Sequence, residues 1–527
     1  MPASTANSRR PPVGQRNRSA LVLVLVLIVV MMVALAGFTF AELMLTENKA
    51  TRLHGEQLRQ QQAIHSGVEQ LKQFLDQPRA AQEAAGGALD NPRMFQAMPL
   101  EPELRDTRTA ANQLRFSIVA PALETSSSTQ SLGIRFGVEN ESGRLHLADL
   151  LRYEQGVPNG GRDALMKLPG MTETVAESIM DWIDGDLLPR PLGAEKDYYE
   201  GLEEPYSPRN GLPACLEELL LVKGVTRELL FGADANYNRI IEPGETVQPA
   251  AGPRSATSAP ALPWNWLLTL YSGQRNRDSQ GQPRIQLNGS NLVELHQQLS
   301  AAVGPELAAF VVAYRQFGPD RSGGAAQPGV VPVDLASAPS FMVSTVLDLV
   351  DVNVAVSVAG KSAVYSSPLA HSAPDLASQL TKLQDAAAID AAPALHGRVS
   401  VNDASSVVLQ CVPGIDEQLA QRIVAARQNP ASGEDSSRRF PTWLLTEGLV
   451  DLETMKRLLP NISGSGDVAR AQVVAHFDQP GLSARTEVVI DGTGDAAREV
   501  LWRDLRFYGG GYPTEWLTAG APRGARN

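Results

Sequence analysis

Counting from Asp234 as position 1, Asn236 falls at position 3, Asn238 at 5, Ile240 at 7, Glu242 at 9 and Glu245 at 12. That is the spacing of a calcium loop. A hard cation takes six to eight oxygens, and this register offers them from one turn, with a backbone carbonyl from Ile240 and a bidentate Glu245. Ile241 occupies the apolar slot that pins such a loop to a core. Arg239 stands where the loop usually has Gly, so it must take a left-handed backbone at a cost of about 1 kcal/mol. The competing reading is an Asx-rich turn that satisfies only itself. A second acidic stretch lies upstream. Residues 181–204 hold eight acids (Asp181, Asp184, Asp186, Glu195, Asp197, Glu200, Glu203 and Glu204) against Arg190 and Lys196. They form either a solvated face or, through Asp184-Gly185-Asp186 with Glu195 returning, a second hard-cation site.

No catalytic chemistry is spaced in this chain. No Ser/His/Asp set can be assembled, the seven histidines fall in no ligand spacing, and there is no P-loop or dinucleotide fingerprint. We read a non-enzymatic protein. A net charge of −12 speaks against general nucleic-acid binding. Cys215 and Cys411 are too few for a disulfide scaffold and read as buried thiols, although an oxidising compartment would allow them to pair.

The elements that position these residues begin at the N-terminus. Arg9, Arg10, Arg16 and Arg18 precede an uncharged apolar run over residues 20–38, long enough to span a bilayer as a helix. The positive-inside rule keeps the arginines cytoplasmic and sends the rest across. A cleaved signal peptide is the rival reading, but its apolar core would be shorter. Beyond the run, Ile64, Val68, Leu71 and Leu75 recur at helical spacing, so one long helix lies half in and half out of the membrane until Asp76-Gln77-Pro78 ends it. Residues 80–90 read as a loop. Residues 115–119 and 133–138 alternate as strands, and 469–477, 484–490 and 499–504 read as a terminal antiparallel meander.

One pattern returns three times between these strands. A Gly, a basic residue, two alternating apolar residues, a polar cap and a helix occur after Gly143, Gly281 and Gly397. Leu168-Pro169-Gly170-Met171 also resembles Val412-Pro413-Gly414-Ile415, each leading into a helix. Such hairpins can face phosphate, but acids follow Gly170 and Gly414, so protein packing is the better reading. Residues 249–263 and 318–332 read as linkers.

Asp181-Trp182-Ile183-Asp184-Gly185-Asp186, Pro189, Gly193-Ala194-Glu195, Tyr198, Pro205-Tyr206, Asn210, Glu217-Glu218-Leu219 and Val222-Lys223-Gly224-Val225 together resemble the GspK family of type II secretion minor pseudopilins. The basic–apolar N-terminus, Gln62-Ala63 with Gly67, and the strand after Gly143 fit the same family. The resemblance implies an α+β pseudopilin with a long transmembrane helix, a pilin-like antiparallel sheet and an inserted helical domain with helix-hairpin-helix-like units. It implies a single-pass inner-membrane protein with its bulk in the periplasm, at the tip of the pseudopilus. There it would join other minor pseudopilins and the pseudopilus shaft, help initiate assembly, and meet exported proteins. It also implies calcium in the acidic insertion, at Asp184, Asp186, Glu195 and Asp197.

Three features depart from the family pattern. Its prepilin peptidase cuts after a Gly just before the apolar run, where this chain has Arg18-Ser19-Ala20. No Glu follows shortly after the start of the apolar helix, as suits a tip subunit, and the chain is longer than a usual member. The expected organisation is a basic leader (1–19), a transmembrane helix (20–40), its periplasmic continuation (41–78), pilin-like strands (79–150), and the helical insertion with both acidic loops (151–250). An extended region with linkers (251–395), a second helix-hairpin-helix-like unit (396–465), C-terminal strands (466–508) and a tail (509–527) follow. The alternative reading is a membrane-anchored helix-hairpin-helix DNA receptor. A secreted calcium adhesin would require removal of the apolar run.

Overall fold

The computed structural model describes residues 16–100, 113–122, 133–242, 245, 262–321, 323–358, 361–428, 436–478 and 483–518. Arg9 and Arg10, most of the linker at 249–263 and the end of the tail lie outside them. The chain divides into two units, Met1–Gln62 and Ala63–Asn527.

In the first unit the described residues are helical, within the helix Arg16–Asp76. Apolar side chains over residues 21–45 are exposed. An apolar window there has a mean hydropathy of 3.2, long and apolar enough to cross a membrane.

The second unit opens with the last turns of that helix. Ala63, Ile64, Val68, Leu71, Phe74 and Leu75 are buried at the spacing the sequence shows. They pack in one core with Phe116, Ile118, Val473, Ala475 and Ile490 of an antiparallel sheet. The sheet runs Met98–Pro99, Leu114–Pro121, Val468–Phe477, Ala484–Asp491, Arg498–Asp504, with Ile134–Phe136 on the second strand and Glu139–Asn140 on the third. Gln472 faces Val119 and Phe477 faces Leu114 in the joining pair. Strands from near the start and near the end of the chain therefore make one sheet, and the residues between form an insertion with its own core.

The insertion repeats one plan three times. Leu145–His146 opens the first copy and pairs in parallel with Leu268–Thr269 at its close. Ile285–Gln286 pairs with Ala387–Ala388, and Val399–Ser400 with Ile462–Ser463, in the same way. A helix follows each opening strand: Leu147–Gly156, Leu292–Val303 and Ser406–Gln410.

The structure corrects several sequence expectations. The polar residue just after the opening strand is not the helix cap. Asn291 and Ser405 cap the second and third helices, and the His146 ring caps the first. Asn288 instead exchanges two 2.9 Å hydrogen bonds with the backbone of Val343, and Asn402 donates to the carbonyls of Arg438 and Gly464 at 2.7 Å. A side chain with both a donor and an acceptor can tie a remote backbone, which a cap does not need. Residues 80–90 contain a short helix, Arg79–Ala84, which Pro78 can precede without losing a hydrogen bond. The second linker contains Ala326–Gln327, paired in parallel with Lys361–Ser366. The region 251–395 has the helix expected after Asn291, Leu292–Val303, and two more, Pro305–Phe317 and Leu376–Ala386, because Leu295, Leu299, Phe310, Val311, Leu380 and Leu383 are buried along them. Cys215 and Cys411 are both free thiols, and burial pushes Cys411 up to about 12.

Candidate cation site in the acidic loop

The helix Glu173–Ile183 carries the site. Thr172 caps it by accepting from the amide of Val175 at 3.3 Å. Its apolar side, Val175, Ala176, Ile179, Met180 and Ile183, is buried, and Trp182 packs edge-on against Tyr199 at 5.3 Å. Four-residue spacing places Glu177 and Asp181 on one side. There they collect the returning loop: Glu177 Oε2 accepts from the Leu192 amide at 2.6 Å, and Asp181 accepts from the Arg190 amide at 3.1 Å. Arg190 Nη1 donates to Asp181 Oδ1 at 3.1 Å and to Asp184 Oδ2 at 2.9 Å. Only a glycine fits at 193, since a Cβ there would lie 1.9 Å from Asp181 Oδ2.

This fold-back brings Asp184, Asp186 and Glu195 together, each offering an oxygen within 4.8 Å of the others. Asp197 is exposed on the helix Lys196–Glu200 and stands outside that group. Glu195 is 4% exposed, yet neither of its carboxylate oxygens has a hydrogen-bond partner. Asp184 Oδ1 is buried and unpartnered as well. Burial, then the charges of Asp181, Asp184 and Asp186, push Glu195 up to about 7. Burial also raises Asp184, against its hydrogen bond from Arg190. A dry carboxylate among like charges is costly unless something positive faces it.

Asn210 reaches the backbone of Asp186, a contact that the spacing argument missed. Its Nδ2 donates to the Asp186 carbonyl at 2.6 Å while its Oδ1 is buried without a partner. Its backbone is left-handed, with φ of 49°. The Asn210-Gly211 pair signals a turn in the sequence, but nothing local says which loop that turn meets.

The Asp234 loop is built differently. Asp234 accepts from the amides of Asn238 at 3.2 Å and Arg239 at 2.9 Å. Asn236 Oδ1 accepts from Asn238, and Asn238 Oδ1 from Ile240, each at 2.8 Å. Glu245 reaches back to the amides of Ala235 and Asn236 at 3.1 and 3.3 Å. Arg239 has φ of 64°, the left-handed turn demanded at its position. Burial raises Asp234 to about 6, with the amides of Arg239 and Asn238 opposing it. Asp234, Asn236, Asn238 and Glu245 thus share one closed loop whose oxygens already accept from its own amides.

Residues 157–231 match the family model for type II secretion system (T2SS), protein K. This stretch is similar to a T2SS protein K domain. The matched stretch contains Asp184, Asp186, Glu195 and Asn210, and it ends just before Asp234. Among solved structures, a chain of the GspK-GspI-GspJ complex of the enterotoxigenic Escherichia coli type 2 secretion system is similar to this one. The two are 11% identical with a TM-score of 0.35, over 86% of this chain and 99% of that one. No curated protein matches the chain.

Proposed function

We propose that this chain is a minor pseudopilin of a type II secretion system whose protein K domain is held together by calcium. The observation that carries the reading is Glu195, buried with two free oxygens inside that domain and beside Asp184 and Asp186. Oxygen ligands from two aspartates, a glutamate and an Asn side chain suit a hard cation. Held apart by the ion, these carboxylates need not repel one another, so binding energy becomes folding energy for the loop. The Asp234 loop is the second candidate, and would exchange amide partners for the ion.

The apolar N-terminal helix supports a single-pass anchor, and Arg16 and Arg18 favour a cytoplasmic N-terminus with the bulk of the chain in the periplasm. The membrane is then the inner one, and the chain would sit at the pseudopilus tip with the shaft below it and helical insertion outward. The E. coli chain is found with GspI and GspJ; the equivalent minor pseudopilins are the partners proposed here. The role is structural, in starting pseudopilus assembly rather than catalysing a reaction.

The test is a melt of the soluble region, residues 42–527, with calcium and with chelator, for the wild type, Asp184→Ala and Asp234→Ala. A higher wild-type melting temperature with calcium, reduced in Asp184→Ala, supports the site in the protein K domain. A further reduction in Asp234→Ala assigns the second loop. An unchanged melt in all three removes the calcium reading. Co-purification with co-expressed minor pseudopilins tests the assembly role separately, and its absence under conditions where the chain is folded would sink it.

A further inference from the structure

A cavity of about 410 Å³ opens where the sheet, the first repeat and the third repeat meet. Five arginines line it (Arg135, Arg144, Arg239, Arg427 and Arg438), with Glu139 and Asp403 as the acids. Much of this charge is engaged. Arg144 pairs with Glu139 at 3.0 Å, Arg239 Nη1 with the same carboxylate at 2.6 Å, and Arg438 with Glu447 at 2.7 Å. Asp403 accepts from Asn140 Nδ2 and Ser400 Oγ, both at 2.7 Å.

Arg135 differs. It is 6% exposed and donates from Nη2 to the Val138 carbonyl at 2.7 Å, but it has no carboxylate within ion-pair distance among the described residues. Its Nε and Nη1 are buried without an acceptor. Arg239 and Trp266 also line the cavity, and Arg239 Nε and Trp266 Nε1 are likewise buried without an acceptor. The Arg239 guanidinium lies over the Trp266 ring at 5.0 Å. Four buried donor nitrogens from three side chains therefore have no acceptor. Leaving each unmade costs about 1–3 kcal/mol, and a buried guanidinium without an anion costs more.

These donors are fixed in place. Arg135 sits on the strand Ile134–Phe136, whose Arg135 pairs with Ala120. Arg239 is held in its left-handed turn by Asp234, and Trp266 belongs to the short helix Trp264–Leu267. A cavity of this size is in the range that takes a small ligand. The guanidinium fork matches the oxygens of a phosphate or a carboxylate.

We propose that this cavity is a binding site for a small oxyanion, a phosphate or polycarboxylate ion, held by Arg135, Arg239 and Trp266. It shares no residue with the acidic loop of Asp184, Asp186 and Glu195, whereas Arg239 belongs to the Asp234 loop.

The test is calorimetric titration of the full-length chain in non-ionic detergent with inorganic phosphate and, separately, with citrate, at constant ionic strength. The variants are Arg135→Met and Trp266→Phe. Saturable one-to-one binding of either ion is expected, and the ion that binds distinguishes tetrahedral from carboxylate chemistry. Arg135→Met should weaken it at least about tenfold, since it removes a charge-assisted fork. Trp266→Phe keeps the ring under Arg239, removes one donor, and should weaken binding by a smaller factor. Melts give a second readout. The ion should raise the wild-type melting temperature, while unliganded Arg135→Met should melt no lower than wild type and gain nothing from the ion. If Arg135→Met does not fold, Trp266→Phe decides. No saturable heat for either ion, or equal binding by wild type and the folded variants, overturns the proposal.

Discussion

At the scale of single residues, Glu195 links chemistry to pH. Its folded carboxyl titrates at about 7, against an ordinary value of 4.5. The ion-free folded chain thus holds a proton there that the unfolded chain loses, and its stability falls as pH rises from about 4.5 to about 7. Calcium needs the carboxylate, so affinity should drop as pH falls below about 7, with close to one proton released per ion bound near pH 6. Titration in two buffers of different ionisation enthalpy would count that proton; zero release would detach Glu195 from the ion. Glu195→Gln should melt higher than wild type in chelator at pH 8 and lose most of the calcium gain. The spacing of Asp184, Asp186 and Glu195 was readable in the sequence. The isolation of the Glu195 oxygens was not, because it depends on which groups fail to reach them. Nor was the contact of Asn210 with Asp186 readable, since it spans 24 residues of chain.

At the scale of elements, close approach and remote tying decide stability. Gly67 brings the helix against the sheet: a Cβ there would lie 2.7 Å from Val473 Cγ1 and 2.9 Å from Phe116 Cδ2. Gly67→Val should cost about 1–3 kcal/mol through overpacking, despite a better helix propensity, and urea unfolding would show it. An unchanged midpoint would mean that the helix can back away from the sheet. Asn402 holds the closing segment of the third repeat through both carbonyls it reaches and accepts from Trp443 Nε1 at 3.0 Å. Asn402→Ala should therefore destabilise by about 2–3 kcal/mol, more than a lost cap. Helix stripes and the terminal meander were legible because their periods of 3.6 and 2 are local. The two-residue parallel pairs were not, since each joins strands separated by a whole repeat, and the residues 80–90 are too short and small to signal their helix.

At the scale of the whole molecule, the insertion is pinned to the sheet by ions. Glu141 is fully buried, bonded to Arg470 at 2.6 Å and paired with Arg144 at 3.4 Å. Those arginines outweigh the cost of burial and hold it at about 2, so its contribution is present above about 4.5 and is lost as pH falls through about 2. Glu141→Gln leaves two buried guanidinium groups short of an anion and should cost about 3–5 kcal/mol near neutral pH. Denaturant unfolding at pH 7 would measure it, and a loss below 1 kcal/mol would show that Glu139 and Glu487 suffice. The sheet itself has a temporal consequence. Leu114–Pro121 meets Met98–Pro99 and Ile134–Phe136 early, but its longest pairing is with Val468–Phe477. During synthesis the insertion emerges with its own core available, while the buried helix face at Ile64, Val68, Leu71 and Phe74 must wait for the last strands. A chain that ends before residue 468 would keep the core of the insertion but leave that apolar helix stripe without the strands that cover it.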